Sequence, residues 1–466
     1  MNNPEVTHVR LIWSQIAPDI EEHFGKLWNV PELPLMEYQS ADFLCQLLER
    51  HGFKTERGVG GVPTAFAARI RNAEGPVIGI LAEYDALPTL HNEAVPYRKG
   101  NRRLPGHGCG HNHIGPANTG AGIAAAKALL SLGLAGGIDI IGCPAEEIGW
   151  GKPALQEAGV FDGIDVLLTS HGDYQNGSLS RPCQSIAGGE FWFLGAPGHG
   201  GKTPKANALD VAEEAYSRFS KAREQIPGLT AKHVFRYGGV TPGVTPEEVR
   251  LWASVRHPEY EGVLAGYALM AETFRQVAVE RGVGFEEHQI TSGRGYLGND
   301  VVGRVLDKCL REVGPPQWSD ADIVWMQELA KAVDPDKPFD LHREIGYFDE
   351  GLDYYGQDDG DVSWQIPLGR VNWAYPSNVP IHHWAWTALS GHASSSPGPL
   401  MASEALAMAA IHLLAHPEAV SAAKRELKSR TAGIQIDHPT IRMKDLFTTD
   451  PQSFWDATWG GEQTGA

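Results

Sequence analysis

The chain has 466 residues, 42% apolar and 21% charged, an ordinary globular composition with room for two domains around a large buried core. Its formal net charge of −18 argues against nucleic acid or an anionic membrane surface as partner. No apolar run approaches the ~18 residues that span a bilayer, and the start lacks a basic segment followed by an apolar one, so neither a membrane span nor a secretory signal is expected.

The chain opens with a helical pattern over residues 6–24, where Val9, Ile12, Trp13, Ile16 and Ile20 fall near one face. A second helix is predicted over 40–51, stopped by Gly52. Apolar runs at 64–70, 77–81, 138–141 and 166–169 read as strands, with an Ala- and Leu-rich helix over 117–132 between two of them. Strands alternating with helices predict an α/β layer structure with a partly parallel sheet. After Pro182 the pattern changes. Strands at 191–194, 249–255 and 285–291 are interleaved with helices at 209–225 and 259–281, a block suited to a small open sheet with two helices on one face. The chain resumes with residues 301–313, further loops and a final core helix over 401–414. The expected organisation is a larger discontinuous mixed-sheet domain, residues 1–184 and 299–466, interrupted by an inserted α+β domain at 185–298.

Five short motifs carry candidate chemistry, most of them where a strand of the larger domain ends, the place where open α/β sheets gather their sites. In Leu81-Ala-Glu-Tyr-Asp-Ala-Leu-Pro88, Glu83 and Asp85 are two apart and face one side of a continuing strand. They read either as solvated loop charges or as carboxylates that orient a metal-ligand histidine. In Gly106-His-Gly-Cys-Gly-His-Asn-His113 the glycines free the backbone to turn tightly, so that Cys109 and His111 can converge as thiolate and imidazole ligands. The bland alternative there is a turn with surface histidines. Cys143-Pro-Ala-Glu-Glu147 offers adjacent glutamates, one able to bind a metal while the other stays free as a general base. Alone, such a pair is usually a solvated helix start. His171 in Thr169-Ser-His-Gly172 follows a strand, and Val379-Pro-Ile-His-His383 supplies two more histidines, between which local sequence does not choose. Together, cysteine, histidines and glutamates at the strand ends of one domain point to a dinuclear hydrolytic site.

Taken in order, these motifs resemble the metal-dependent aminoacylase and carboxypeptidase G superfamily, in its hippurate hydrolase and auxin-conjugate hydrolase branch. The resemblance covers nearly the whole chain: Gly108-Cys-Gly-His111, Gly142-Cys-Pro-Ala-Glu-Glu147, Gly195-Ala-Pro-Gly-His199, Gly238-Gly239, the stretch ending at Arg256, Gly360-Asp-Val-Ser-Trp364 and Pro380-Ile-His382. It implies one or two divalent ions per subunit, zinc or manganese, with Cys109 bridging and His111, His171, Glu147 and His382 as the other ligands. It implies Glu146 as general base and Asp85 as the carboxylate that orients a ligand histidine. The inserted domain resembles a lid and dimerisation domain, which implies a homodimer in which His199 reaches the other subunit's site and stabilises the oxyanion. Arg256 matches an arginine that helps bind a substrate carboxylate, and Asn207 and His392 are further candidate polar contacts to substrate.

The chain departs from its relatives at three places. Glu83 stands where they usually carry Asp, Gly243 stands where they carry Asn, and the segment after His199 is shorter, with Lys205 and Asn207 near the place of a conspicuous arginine. These changes weaken the grip on a glutamate-bearing substrate. Trp150, Tyr174, Trp364, Trp384 and Trp386 lie near the motifs, either as core packing or as the wall of a pocket for an aryl substrate.

The expected function is a metal-dependent amidohydrolase that cleaves an N-acyl or aryl amide bond of a small carboxylic acid with a metal-activated water. One alternative is hydrolytic deamination of an activated aminobenzoate, which needs no peptide-like carboxylate clamp. A non-catalytic ligand-binding subunit is the alternative of another class, and the retained Glu146–Glu147 pair argues against it. Five scattered cysteines, Cys45, Cys109, Cys143, Cys183 and Cys309, suit a reducing cytoplasm better than a disulfide framework.

Overall fold

In the computed structural model, which describes residues 4–199, 206–436, 451–452 and 454–455, the first helix α1 (Pro4–Trp28) buries Val9, Ile16, Ile20, Phe24 and Leu27 along one face. There follow α2 (Tyr38–Arg50), β1 (Glu56–Arg57), β2 (Phe66–Ala73), β3 (Val77–Ala82), α3 (His111–Leu132), β4 (Gly136–Gly142), α4 (Gly151–Glu157), β5 (Val166–Asp173) and β6 (Asn176–Leu179). Next come β7 (Ser185–Leu194), β8 (Gly198–His199), α5 (Ala208–Ala222), β9 (Thr230–Tyr237), β10 (Val244–Thr245), β11 (Glu248–His257), α6 (Tyr260–Arg281) and β12 (Gly284–Gly293). The chain continues through α7 (Asp300–Val313), α8 (Asp320–Val333), β13 (Ile345–Phe348), α9 (Gly360–Ser363), β14 (Leu368–Ala374), α10 (Trp384–Ser390), α11 (Pro397–Ala415) and α12 (Pro417–Arg430).

Eight strands form one mixed sheet in the order β1-β2-β4-β3-β5-β14-β6-β13. Its centre, β4-β3-β5-β14, is parallel, while β2 and β6 run antiparallel to their neighbours β4 and β14. β3, β4 and β14 are buried along their whole length because helices or loops cover both faces. Ile78 and Ile80 of β3 join the core that holds α1, α3, α7 and α11, while Val77 and Leu81 join the opposite core with Leu155 of α4.

Residues 185–293 form a second, antiparallel sheet, β12-β7-β11-β9, with a core of its own. Along β7 and β11 the odd-numbered residues Phe191, Phe193, Val249, Leu251, Ala253 and Val255 are buried with Phe219 of α5 and Phe274 of α6. On the opposite face, Ile186 of β7 and Trp252, Ser254 and Arg256 of β11 turn toward the larger sheet's rim.

Several elements differ from the sequence expectation for identifiable reasons. α3 starts at His111 rather than near 117, because its first turn carries polar side chains, His111, Asn112 and His113, that the fold buries. β9 is an edge strand with most residues exposed, so it shows no apolar run. β14 lies in the middle of the sheet although Arg370 and Asn372 interrupt its apolar sequence, and Arg370 is buried against Asp359 and the Tyr355 hydroxyl. The stretch Ala393–Ala415 is, by length and composition, apolar enough to cross a membrane, contrary to the expectation that no such run exists; 83% of its apolar window is buried as the central core helix.

Two non-glycine residues with left-handed backbone, Leu35 (φ 66°) and Ala145 (φ 60°), share one stabilising partner. Glu37, fully buried, accepts both of their backbone N–H groups at Oε1, at 2.8 and 2.9 Å, and the Thr64 hydroxyl at Oε2. Each such residue costs roughly 1–2 kcal/mol that its surroundings must offset. Burial, with Asp85 nearby, pushes the Glu37 carboxyl up to about 8 from an ordinary 4.5, so the folded chain holds this proton where the unfolded chain releases it. Its contribution to stability is therefore full below pH 4.5 and is lost as pH rises through about 8. Urea denaturation across that range is expected to show a downward slope that Glu37→Gln flattens, while Glu37→Ala costs about 2–4 kcal/mol by orphaning buried N–H groups; an unchanged slope in Glu37→Gln would contradict this account.

Candidate metal centre

The parallel strands deliver the candidate ligands to one rim. β3 ends just before Glu83 and Asp85, β4 just before Cys143 and the single turn Glu146–Ile148, and β5 carries His171. Gly110, at φ +83°, breaks direction so that Cys109 precedes and His111 begins α3; a Cβ there would crowd the Trp386 indole nitrogen at 3.2 Å. His382 joins from the loop before α10, its backbone N–H donating to Gly108 O at 2.8 Å. It adopts φ 59°, a second left-handed position at this rim beside Ala145.

Two donor clusters result, and they share the thiol. Cys109, His111 and His171 place donor atoms within 4.8 Å of one another, and so do Cys109, Glu147 and His382. Cys109 Sγ is 3.5 Å from His171 Nε2, and His382 Nε2 is 3.3 Å from Glu147 Oε2. The imidazoles are oriented by their second nitrogens: His111 Nδ1 lies 2.8 Å from Asp85 Oδ1, and His171 Nδ1 lies 2.6 Å from Gly172 O. Asp85 Oδ2 also accepts the Glu147 backbone N–H at 2.9 Å. His383, the neighbour that local sequence could not separate from His382, instead caps α10 through the Ala385 N–H.

This donor set fits divalent metal. His111 Nε2 and Glu147 Oε1 are buried without a hydrogen-bond partner, a cost of about 1–3 kcal/mol each that a cation would remove. Thiolate, imidazole and carboxylate together suit zinc or a neighbouring transition metal. Burial, with Glu147 close by, pushes the Cys109 thiol well above its ordinary range, so a bound cation is what would hold it as thiolate. Glu146 has its Oε2 3.7 Å from His111 Nε2, and burial with Glu83, Asp358 and Glu147 around it pushes its carboxyl well above the ordinary carboxylate range.

The rim opens onto a cavity of about 590 Å³ between the two sheets. Cys109, Glu146, Glu147, His171 and His382 line one side, and the even-numbered Trp252, Ser254 and Arg256 of β11 line the other. Arg256 Nε is buried without a hydrogen-bond partner. Other sequence candidates lie elsewhere. Asn207 caps α5 through Leu209 N–H, and His392 stacks on Trp325 with ring centroids 3.9 Å apart; neither is on the cavity wall. His199 is exposed on β8, paired in register with Val244, and Lys205 lies outside the described residues. Trp150 and Trp386 are core residues, the Trp364 indole donates to Gly295 O, and the aromatic wall is made instead by Trp252, Tyr354 and Tyr355. Sequence reasoning missed Glu37, Lys152 and Asp358, all buried against this rim, because an isolated charged residue carries no local sign of burial.

No family model matches the chain. Among curated proteins it is 27% identical to one of the subunits of p-aminobenzoyl-glutamate hydrolase from Escherichia coli (strain K12), over 83% of this chain and 87% of that one. It is 26% identical to the Xaa-Arg dipeptidase of Mus musculus, over 88% and 89% of the two chains. Among solved structures, a dinuclear metal-binding peptidase of the M20 family from Bacillus subtilis superposes with a TM-score of 0.55 at 18% identity, covering 86% of this chain and 99% of that one. An aminobenzoyl-glutamate utilization protein from Klebsiella pneumoniae gives 0.56 at 14%, covering 87% and 98%. The structural likenesses establish the fold, and the sequence likenesses extend along most of both chains. Along most of its length the chain is related in sequence to metal-dependent hydrolases of amide and peptide C–N bonds, and it shares its fold with a dinuclear M20 peptidase.

Proposed function

We propose that this chain hydrolyses the amide bond of a small, aromatic carboxylate-bearing substrate, with Glu146 moving the proton. The observation that carries the reading is the pair of donor clusters joined by Cys109 and opening onto a cavity of a size that suits a small molecule. Divalent ions held by Cys109, His111 and His171 and by Cys109, Glu147 and His382, zinc or manganese, would supply Lewis acidity toward a water and the scissile carbonyl. Glu146 is the free carboxylate on the cavity wall beside them. It takes the proton of the attacking water at a carboxylate oxygen and returns it to the leaving nitrogen, so the C–N bond is replaced by C–O and acid and amine leave in equal amounts. Arg256 faces Glu146 across the cavity and pairs with the substrate carboxylate, and Trp252, Tyr354 and Tyr355 accept an aryl group. The relative named for p-aminobenzoyl-glutamate supplies a substrate of this chemical kind.

We also propose a homodimer formed through the small sheet. β9 is an edge strand with Val234 exposed, and Val240 just beyond it is 91% exposed, a surface that soluble proteins normally cover. In such a dimer the partner subunit's His199 would donate to the carbonyl oxygen as charge develops on it. The unpaired cysteines fit a cytoplasmic protein.

With metal-loaded protein and aryl amides of amino acids, acid and amine are expected in equal amounts, and Glu146→Ala should lose about 10²–10⁴-fold in kcat with metal content unchanged. Ammonia with a hydroxylated ring, from amino-substituted benzoates, would instead make the protein a deaminase. Arg256→Met is expected to raise KM roughly 10- to 100-fold for carboxylate-bearing substrates and little for their esters; equal losses on both would remove Arg256 from the substrate's carboxylate. Light scattering should give a dimer mass for the unaltered chain and a monomer mass for Val234→Asp combined with Val240→Asp, and a monomeric unaltered chain would rule the dimer out.

A further inference from the structure

Glu83 is a fourth carboxylate at this rim, and the fold commits an unusual amount of buried charge to aiming it. Its Oε1 accepts a 2.6 Å hydrogen bond from Lys152 Nζ, an ammonium with no exposed surface. Lys152 Nζ also pairs with Asp358, whose Oδ2 accepts the Lys152 backbone N–H at 2.8 Å. The first turn of α4 that carries Lys152 packs backbone against backbone on the loop after β4: a Cβ on Gly151 would meet Pro144 O at 1.7 Å. Burying an ammonium is unfavourable unless it is paired and geometrically fixed, and here both conditions are met by two carboxylates.

That pairing uses only one oxygen of Glu83. Oε2 is buried, has no hydrogen-bond partner, and lies 3.7 Å from His111 Nε2, which is itself buried and without one. Glu83, His111 and Glu146 place donor atoms within 4.8 Å of one another, so the two unpartnered atoms aim into a single small volume. Glu83 and His111 are absent from the cavity wall, whereas Cys109, Glu147 and His382 line it. The two ion positions therefore differ in access: Cys109 and His171 bring the first to the cavity while its His111 side is enclosed by protein, and all three donors of the second, Cys109, Glu147 and His382, line the wall.

We propose that Glu83 is a further metal ligand, closing from the buried side the ion position held by Cys109, His111 and His171, and that Lys152 is the positioning residue that aims it. The position with four protein donors is then the tight one, and the position held by Cys109, Glu147 and His382 keeps an open place toward the cavity, the division that separates closed from catalytic sites elsewhere. The inference rests on the metal reading given above, and the experiment separates the two.

The full-length chain is loaded with zinc, dialysed, assayed for bound metal by mass spectrometry and titrated with a chelator of known affinity, while apo-protein melting reports folding. The unaltered chain is expected to show two classes of ion. Glu83→Gln, which is isosteric and leaves Lys152 paired with Asp358, should weaken the tighter class at least about tenfold while the looser class and the apo melt stay in place. Lys152→Met combined with Asp358→Asn removes one charge of each sign and should weaken the same class, and Glu83→Asp, a methylene short, should fall between. Both classes unchanged in folded Glu83→Gln, or both lost equally in Glu83→Gln and in Lys152→Met combined with Asp358→Asn, would overturn the proposal. An unaltered chain that retains no ion would overturn the metal reading itself, before any variant is compared.

Discussion

The carboxylate of Asp85 positions one ligand of each donor cluster, His111 of the first and Glu147 of the second. One oxygen sits against His111 Nδ1 and the other accepts the Glu147 backbone N–H, so one buried side chain joins the end of β3, the start of α3 and the turn after β4. Without it the imidazole could rotate and the turn bearing both glutamates would lose its anchor to the neighbouring strand. Glu37 acts on the same turn from the other end, holding the strained residue that precedes Glu146. Geometry at this rim is thus fixed by acceptors that never reach the cavity, an arrangement expected where a reacting constellation must be held to a fraction of an ångström.

Electrostatics at the rim lean strongly negative. Glu83, Asp85, Glu146, Glu147 and Asp358 are packed together with Lys152 as the lysine among them. Burial works against ionising Glu83, and the Lys152 ammonium overcomes it, bringing that carboxyl down to about 2. Glu146 has no such cation and is pushed the other way. Neighbouring carboxylates driven apart in proton affinity are suited to different tasks, one to hold a cation and one to carry a proton. The two positive charges per divalent ion would restore balance, which is why the rim makes chemical sense as a metal site and little sense as bare protein.

The sequence exposes this site unevenly, and burial explains the unevenness. Cys109 and His111 are legible from the glycine-rich turn that holds them, and the glutamate pair and His171 from their places at strand ends, whereas the choice of Glu147 over Glu146 and of His382 over His383 comes from the family resemblance and not from local sequence. The fold class is legible from the alternation of β3, β4 and β5 with α3. By contrast Lys152 stands in Gly151-Lys-Pro153, which looks like any solvated helix start until α4 is closed against the loop holding Asp358. β14 hides because Arg370 breaks its apolar run, and β9 because an edge strand need not be apolar. His392 and Asn207 attract attention as polar residues near motifs, yet each satisfies itself locally, one stacked on Trp325 and the other as a helix cap.

The alternation along β11 has a consequence for how such a protein can change. Odd positions 249, 251, 253 and 255 are committed to the small sheet's core, while even positions 252, 254 and 256 look onto the cavity. Successive cavity-facing residues stand roughly 7 Å apart, about the width of an aromatic ring. The strand is therefore a graduated scale laid along the cavity wall, with each mark replaceable while the core behind it stays intact. A lineage could retune recognition one mark at a time, but a single inserted residue would turn the scale over and present the core to solvent, so drift in specificity here should proceed by substitution and not by change of length.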